Sequence, residues 1–160
     1  MKKYELTSNF VINSFGEKLF QIKATVDFGI VKKGELGGYI ESEKNLTQNG
    51  NAWVSDNAWV SGNAWVSGNA RVSDNARVSD NADYATISGF GSEYRTTTFF
   101  RNRSGQIEVR CGCFYGTIEE FRAKVKQTHG ETKKAIEYLK VADLMEYHFS
   151  KEEEEKKVEE

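Results

Sequence analysis

Three tryptophans stand six residues apart at Trp53, Trp59 and Trp65, and Arg71 and Arg77 continue the same spacing. Indole and guanidinium groups do no acid–base work near neutral pH. They stack, donate hydrogen bonds and anchor interfaces. A second group, Tyr94, Arg95, Phe99, Arg101, Arg103 and Arg110, follows further along the chain. Arginine forks bind phosphate and carboxylate while aromatic faces stack on flat rings. The mixture therefore suits a nucleotide-derived anion better than duplex DNA. Catalytic groups are sparse, because the only histidines are His129 and His148 and the only cysteines are Cys111 and Cys113. His129, in Thr128-His129-Gly130, reads as a polar group at a helix C-terminus, and His148 is assigned no role. Cys111 and Cys113 are expected to share a strand face with Val109 and to pack as small hydrophobes. Metal binding would need two further ligands, and there is no second cysteine pair. The expectation is a non-enzymatic protein with no cofactor and no metal.

The residues that must position these side chains are repetitive. From Asn51 the chain reads NAWVSD NAWVSG NAWVSG NARVSD NARVSD NADYAT, six hexads in tandem. Val54, Val60, Val66, Val72, Val78 and Tyr84 keep one phase, and Ala52, Ala58, Ala64, Ala70, Ala76 and Ala82 precede them by two residues. Residues i and i+2 share a strand face, so each Ala-x-Val triplet should point inward. The Ser-Asp/Gly-Asn run between triplets is turn chemistry. Short strands with a corner every six residues predict a triangular solenoid. An 18-residue turn would set Trp53 over Arg71, Trp59 over Arg77 and Trp65 over Asp83. It would also leave three tryptophans facing outward. Either the chain's own flanking segments cover them or at least one face is a subunit or partner interface. Ile40 and Leu46 suggest an irregular first turn, displaced by two residues before Asn51.

The flanks differ in kind. Phe20, Ile22, Ala24, Val26 and Phe28 alternate with polar residues and predict a half-buried strand. Phe10, Val11 and Ile12 supply its partner, with a turn at Asn13-Ser14-Phe15-Gly16. After Ile87, strands are expected at Thr96–Arg101 and Gln106–Phe114, joined at Asn102-Arg103-Ser104-Gly105. Thr117 and Glu120 form a capping box for a helix with Ile118, Phe121 and Val125 inward and a stop at Gly130. A second helix should run from about Thr132 to Phe149, with Ala135, Ile136, Leu139, Ala142 and Phe149 on one face. The expected division is a β cap with an irregular first turn (1–50), the repeat (51–87), an α+β module (88–150) and an acidic tail (151–160), where Glu152–Lys156 and Glu153–Lys157 are helix-spaced pairs.

Composition narrows the class. The chain has 160 residues with 22 basic and 24 acidic side chains, a net charge of −2, and no proline. Without the last ten residues the balance is 19 basic against 18 acidic, which argues against a general phosphate-backbone binder. No 18-residue apolar run or signal-peptide pattern follows Met1-Lys2-Lys3, so the reading is cytoplasmic without membrane association. Two cysteines make no disulfide framework.

The Val-Ser-Asp/Gly-Asn-Ala-Trp/Arg hexads of residues 51–86 resemble hexapeptide-repeat proteins, which implies a short left-handed parallel β-helix. With the flanks, the implied class is mainly β, with an N-terminal β-hairpin cap and a C-terminal ββαα cap. The stretch DFGIVKKGELGGYIESEKNLTQNGNAWVSDNA resembles an uncharacterised hexapeptide-repeat family of bacteria, prophages and phages. The TTTFF…IEVRCGCFYGTIEEF…THG module is similar to a C-terminal domain that follows such repeats in phage-related sequences. Together these resemblances reach Phe149. They imply a homo-oligomer, with a trimer favoured, and a phage or prophage setting in the host cytoplasm. The functional expectation is an oligomeric binding or scaffold protein that interferes with a host system by binding a host protein. One alternative is a sponge for a nucleotide-derived signal. The other is an acyltransferase, although such enzymes share a catalytic histidine near the repeats and this chain has none before residue 129.

Overall fold

The computed structural model describes residues 1–150; the acidic tail and its two helix-spaced pairs lie outside the described residues. In chain order the strands are β1 (Tyr4–Ile12), β2 (Lys18–Ala24), β3 (Leu36–Ile40), β4 (Trp53–Val54), β5 (Trp59–Val60), β6 (Arg71–Val72), β7 (Arg77–Val78), β8 (Tyr84–Phe90), β9 (Arg95–Arg101), β10 (Ile107–Cys111) and β11 (Phe114–Thr117). Two helices follow, α1 (Ile118–His129) and α2 (Lys133–His148). They form a five-stranded mixed sheet, β1-β2-β3-β5-β7, a four-stranded antiparallel sheet, β11-β10-β9-β8, and the pair β4-β6.

These sheets correct the expected fold class. The chain is mainly β, but its eleven strands lie in three separate sheets and do not make a left-handed parallel β-helix. Every parallel ladder includes a strand two residues long, whereas every ladder between two strands of four or more residues is antiparallel. The C-terminal part is also larger than two strands and two helices, because Tyr84–Phe90 joins it and the strand expected at Gln106–Phe114 divides into β10 and β11 at the Gly112 turn. The physical reason lies at Asp80. The sixth hexad position takes a left-handed backbone at Asp56, Gly62, Gly68 and Asp74, with φ of 57°, 60°, 65° and 59°. Asp80 instead sits at φ −151° and caps a single turn of 3-10 helix, Asn81–Asp83. The corner fails, Ala82 is exposed, and Tyr84 pairs with Phe100 in β9.

Within the hexads the inward positions behave as their spacing requires. Val54, Val60, Val66, Val72 and Val78 and the alanines from Ala52 to Ala76 are all buried. Burying each valine contributes roughly 1.5–3 kcal/mol. Trp53 pairs in register with Arg71 and Trp59 with Arg77, eighteen residues apart. Before Asn51 the offset is twenty, since Ile40 pairs with Val60 and Leu46 with Val66.

The hairpin β1–β2 extends the five-stranded sheet through β3. Its second strand ends at Ala24 rather than Phe28, because Phe28 and Val31 close a tight reciprocal bridge of their own. Gly37 and Gly38 are required where β3 meets the hexads. A Cβ on Gly38 would stand 2.8 Å from the Ala58 carbonyl, and one on Gly37 would stand 2.7 Å from the Trp53 ring.

Adjacent residues of β9 face opposite ways, and this places the antiparallel sheet between two cores. Phe100 joins the hexad core, while Phe99 packs with Val109, Phe121, Val125, Tyr138 and Ala142 under the helices. The capping box at Thr117 and Glu120 forms with both reciprocal bonds, 3.2 and 2.9 Å. On α2 the buried face is Ala135, Tyr138, Val141, Ala142 and Met145. Ile136, expected inward, is 49% exposed, because the stripe falls on Tyr138 and Met145 instead. Among the described residues no helix is long and apolar enough to cross a membrane.

Candidate functional site

Five of the eleven residues singled out by type converge on one cleft. Trp53, Arg71, Tyr94, Arg95 and Arg110 line a cavity of about 550 Å³ between the hexads and the antiparallel sheet. They arrive by three routes. Trp53 and Arg71 come from adjacent rungs of β4 and β6. Tyr94 ends the β8–β9 turn, where it holds φ at 52° and is 72% exposed, and Arg95 opens β9. Arg110 projects from β10 on the face opposite Val109.

Trp53 is buried, held edge-on by Phe28 at 5.3 Å and by Tyr4 at 6.5 Å. The chain's own N-terminal segments thus cover the first of the three tryptophans. Among the described residues its Nε1 is buried without a hydrogen-bond partner, as is Nε of Arg110. Such orphaned donors are rare in folded proteins.

The cations are held partly by the protein. Arg71 donates from Nη1 to the Gly112 carbonyl at 3.0 Å, and its backbone N–H donates to Thr98 Oγ1 at 3.0 Å. Burial, reinforced by the nearby Arg110 charge, pushes the Arg71 guanidinium below its usual range. Arg110 meets Asp74 at 3.5 Å, a long contact. Glu35 and Asp56 also line the cleft, so with Asp74 three arginines meet three carboxylates. Asp56 Oδ2 accepts the Asp74 N–H at 3.3 Å. The arrangement can hold an anion against paired guanidiniums and stack a flat ring at the Tyr94 rim.

The other six residues lie elsewhere. Arg77 stacks on Trp59 at 3.9 Å from the ring centre and also donates to the Asn57 carbonyl at 2.9 Å. Trp65 is 54% exposed; its carbonyl accepts from Tyr84 Oη and its N–H donates to Asn81 Oδ1, so its neighbours are set by the irregular sixth hexad. Phe99 is fully buried and is core, not a binding residue. Arg101 is occupied by the Phe149 carbonyl at 3.1 Å and by Asp83 at 3.2 Å, which fastens α2 to the sheet. Arg103 is exposed at the β9–β10 turn, where its N–H donates to the Asn75 carbonyl at 2.9 Å.

The cysteines separate at a two-residue turn. Cys111 ends β10, accepts from Thr97 Oγ1 at 3.2 Å and is partly buried. Cys113 is exposed in the turn rather than sharing the strand face of Val109, because Gly112 at φ 58° reverses the chain between them. Both line a second cavity of about 400 Å³ with Phe114, Phe121, Lys124, His129 and Tyr138. His129 closes α1, as its place before Gly130 predicts, and stacks on Tyr138 at 6.0 Å. Tyr138 donates to the Phe90 carbonyl at 3.0 Å, and burial pushes its hydroxyl up to about 12. Among the described residues no group of three or more His, Cys, Asp or Glu is placed to hold a metal.

Sequence reasoning missed Glu35, Asp56 and the Gly112 carbonyl. The Gly112 contact had no side-chain signal; the two acids were hidden among many surface carboxylates. Compared with protein-family models and with curated proteins, the sequence matches none.

Proposed function

We propose that the chain is a non-enzymatic binding protein whose cleft between the hexads and the antiparallel sheet captures a small anionic molecule carrying a flat ring, of nucleotide-derived type. The observation that carries this reading is the convergence of Arg71, Arg95 and Arg110 with Trp53 and Tyr94 around about 550 Å³, a volume within the ~300–1,000 Å³ of small-molecule sites. The guanidiniums take the phosphate and Tyr94 stacks on the ring. In the phage or prophage setting that the sequence resemblance implies, such a protein acts by sequestering a host signal.

The test is native mass spectrometry of protein purified from a bacterial host, followed by thermal melts with a panel of nucleotides. Binding to the folded state raises Tm with the logarithm of ligand concentration over Kd once the ligand exceeds Kd. A retained nucleotide, or a Tm increase abolished in Arg71→Ala, supports the reading. No shift with any nucleotide at millimolar concentration refutes it.

A second reading, self-association with a trimer favoured, rests on Trp65, whose exposed indole is the large aromatic left open by the hexads. The subunit count from the same spectra tests it, and a monomer removes it.

A further inference from the structure

The two cavities share a wall. Arg95 and Gly112 line both the 550 Å³ cleft and the 400 Å³ cleft. The contact between these residues is tight, since a Cβ on Gly112 would stand 3.0 Å from Arg95 Nε. Glycine at 112 therefore lets the Arg95 side chain lie against the hairpin tip where the two cavities meet.

Each cavity has its own flat surface and its own cation. The first offers the exposed Tyr94 ring with Arg71 and Arg110. The second offers Phe114 and the stacked His129–Tyr138 pair with Lys124. A single nucleotide uses one flat surface and one group of cations. Two such sets flanking one arginine match a molecule with two rings and an anionic link between them.

The geometry points to a dinucleotide as the ligand class: two nucleosides joined through phosphate, one ring in each cavity and the bridging phosphate on Arg95. This inference rests on the nucleotide reading above and extends it from one cavity to two.

The test compares affinities by isothermal titration for the four ribonucleoside 5′-monophosphates, a pyrophosphate-linked dinucleotide, a linear 3′,5′-linked dinucleotide and a cyclic dinucleotide. The proteins are wild type, Arg71→Ala, Lys124→Ala and Arg95→Ala. Lys124 is an exposed residue of α1, so its removal leaves the fold intact. The inference expects at least one dinucleotide to bind tenfold or more tightly than every monophosphate. It also expects Lys124→Ala to weaken that dinucleotide about fivefold while leaving monophosphate binding unchanged, and Arg95→Ala to weaken both. Equal affinity for mono- and dinucleotides, or a dinucleotide unaffected by Lys124→Ala, overturns the two-cavity inference and leaves the single-cleft reading standing. Binding of no compound in the panel overturns both.

Discussion

The Arg71 guanidinium donates to the carbonyl of Gly112 at 3.0 Å, which ties a hexad to the tip of the β10–β11 hairpin forty-one residues away. One wall of the cleft is thus positioned against the other by a charged hydrogen bond, a class worth about 1.5–3 kcal/mol. Arg71→Met, which keeps the aliphatic stem, should lower stability by about 1–2 kcal/mol because the carbonyl regains water. Urea unfolding measures that loss. The same variant should weaken any nucleotide ligand at least tenfold in titration calorimetry, and an unchanged affinity would remove Arg71 from the site.

At the hexad corners, Asp56 and Asp74 hold the left-handed backbone that Gly62 and Gly68 hold in the neighbouring repeats. A side chain other than Asn, Asp or Gly costs about 1–2 kcal/mol in that region. Asp56→Ala should therefore destabilise by about 1 kcal/mol or more, while Asp56→Gly should stay within about 0.5 kcal/mol. Equal losses in thermal melts would show that the carboxylate bond to the Asp74 N–H matters more than the backbone.

Gly38 lies where β3 crosses the hexads, 2.8 Å (for an added Cβ) from the Ala58 carbonyl and 2.9 Å from Val54 Cγ1. Neither neighbour is a flexible side-chain end. Gly38→Ala should cost about 2 kcal/mol or more as an overpacked site, read as a fall in the urea midpoint with little change in slope.

Lys3 is buried with its ammonium donating to the carbonyls of Ala52 at 2.7 Å, Gly50 at 3.2 Å and Asn49 at 3.3 Å. Burial lowers its pKa from 10.5 to about 8. Between these values the unfolded chain keeps a proton that the folded chain has released, so stability rises with pH across that window. Below pH 8 both states carry the proton, and the cost of burying the charge is present in full. The gain from pH 8 to pH 10 should be about 2 kcal/mol. Denaturant titrations of wild type and Lys3→Met at both pH values measure it, and a rise of equal size in the variant would exclude Lys3 as its source.

Above pH 10 the direction reverses. Burial raises the Tyr138 hydroxyl to about 12 and raises Tyr4 as well, with the Glu43 charge adding to it. The folded chain then holds protons that the unfolded chain has lost, and stability falls with pH. Tyr138→Phe should flatten part of that fall. It should also lower stability near pH 7 by about 1 kcal/mol, through the lost bond to the Phe90 carbonyl. An alkaline limb unchanged in the variant would argue against Tyr138.

The features whose cause is local were legible in the order of the residues. A six-residue period places Val and Ala inward whatever lies beyond them, and Asp or Gly at the sixth position supplies the left-handed corner. The Thr117–Glu120 box starts a helix through bonds within one turn. The eighteen-residue step from Trp53 to Arg71 and from Trp59 to Arg77 follows from three such units. The same period does not specify which sheet a strand joins, and there the resemblance to a left-handed parallel β-helix went too far. Tyr84 kept the phase of the valines but pairs with Phe100, because Asp80 caps a helical turn instead of making a corner. The tertiary structure alone decided that Trp53 is covered by Tyr4 and Phe28, that Phe99 is core, and that Arg101 is spent on Phe149 and Asp83. It also brought Arg71, Tyr94, Arg95 and Arg110 around one cleft. These outcomes depend on contacts between residues tens of positions apart, whose free energy is set by which surfaces meet and no local spacing encodes.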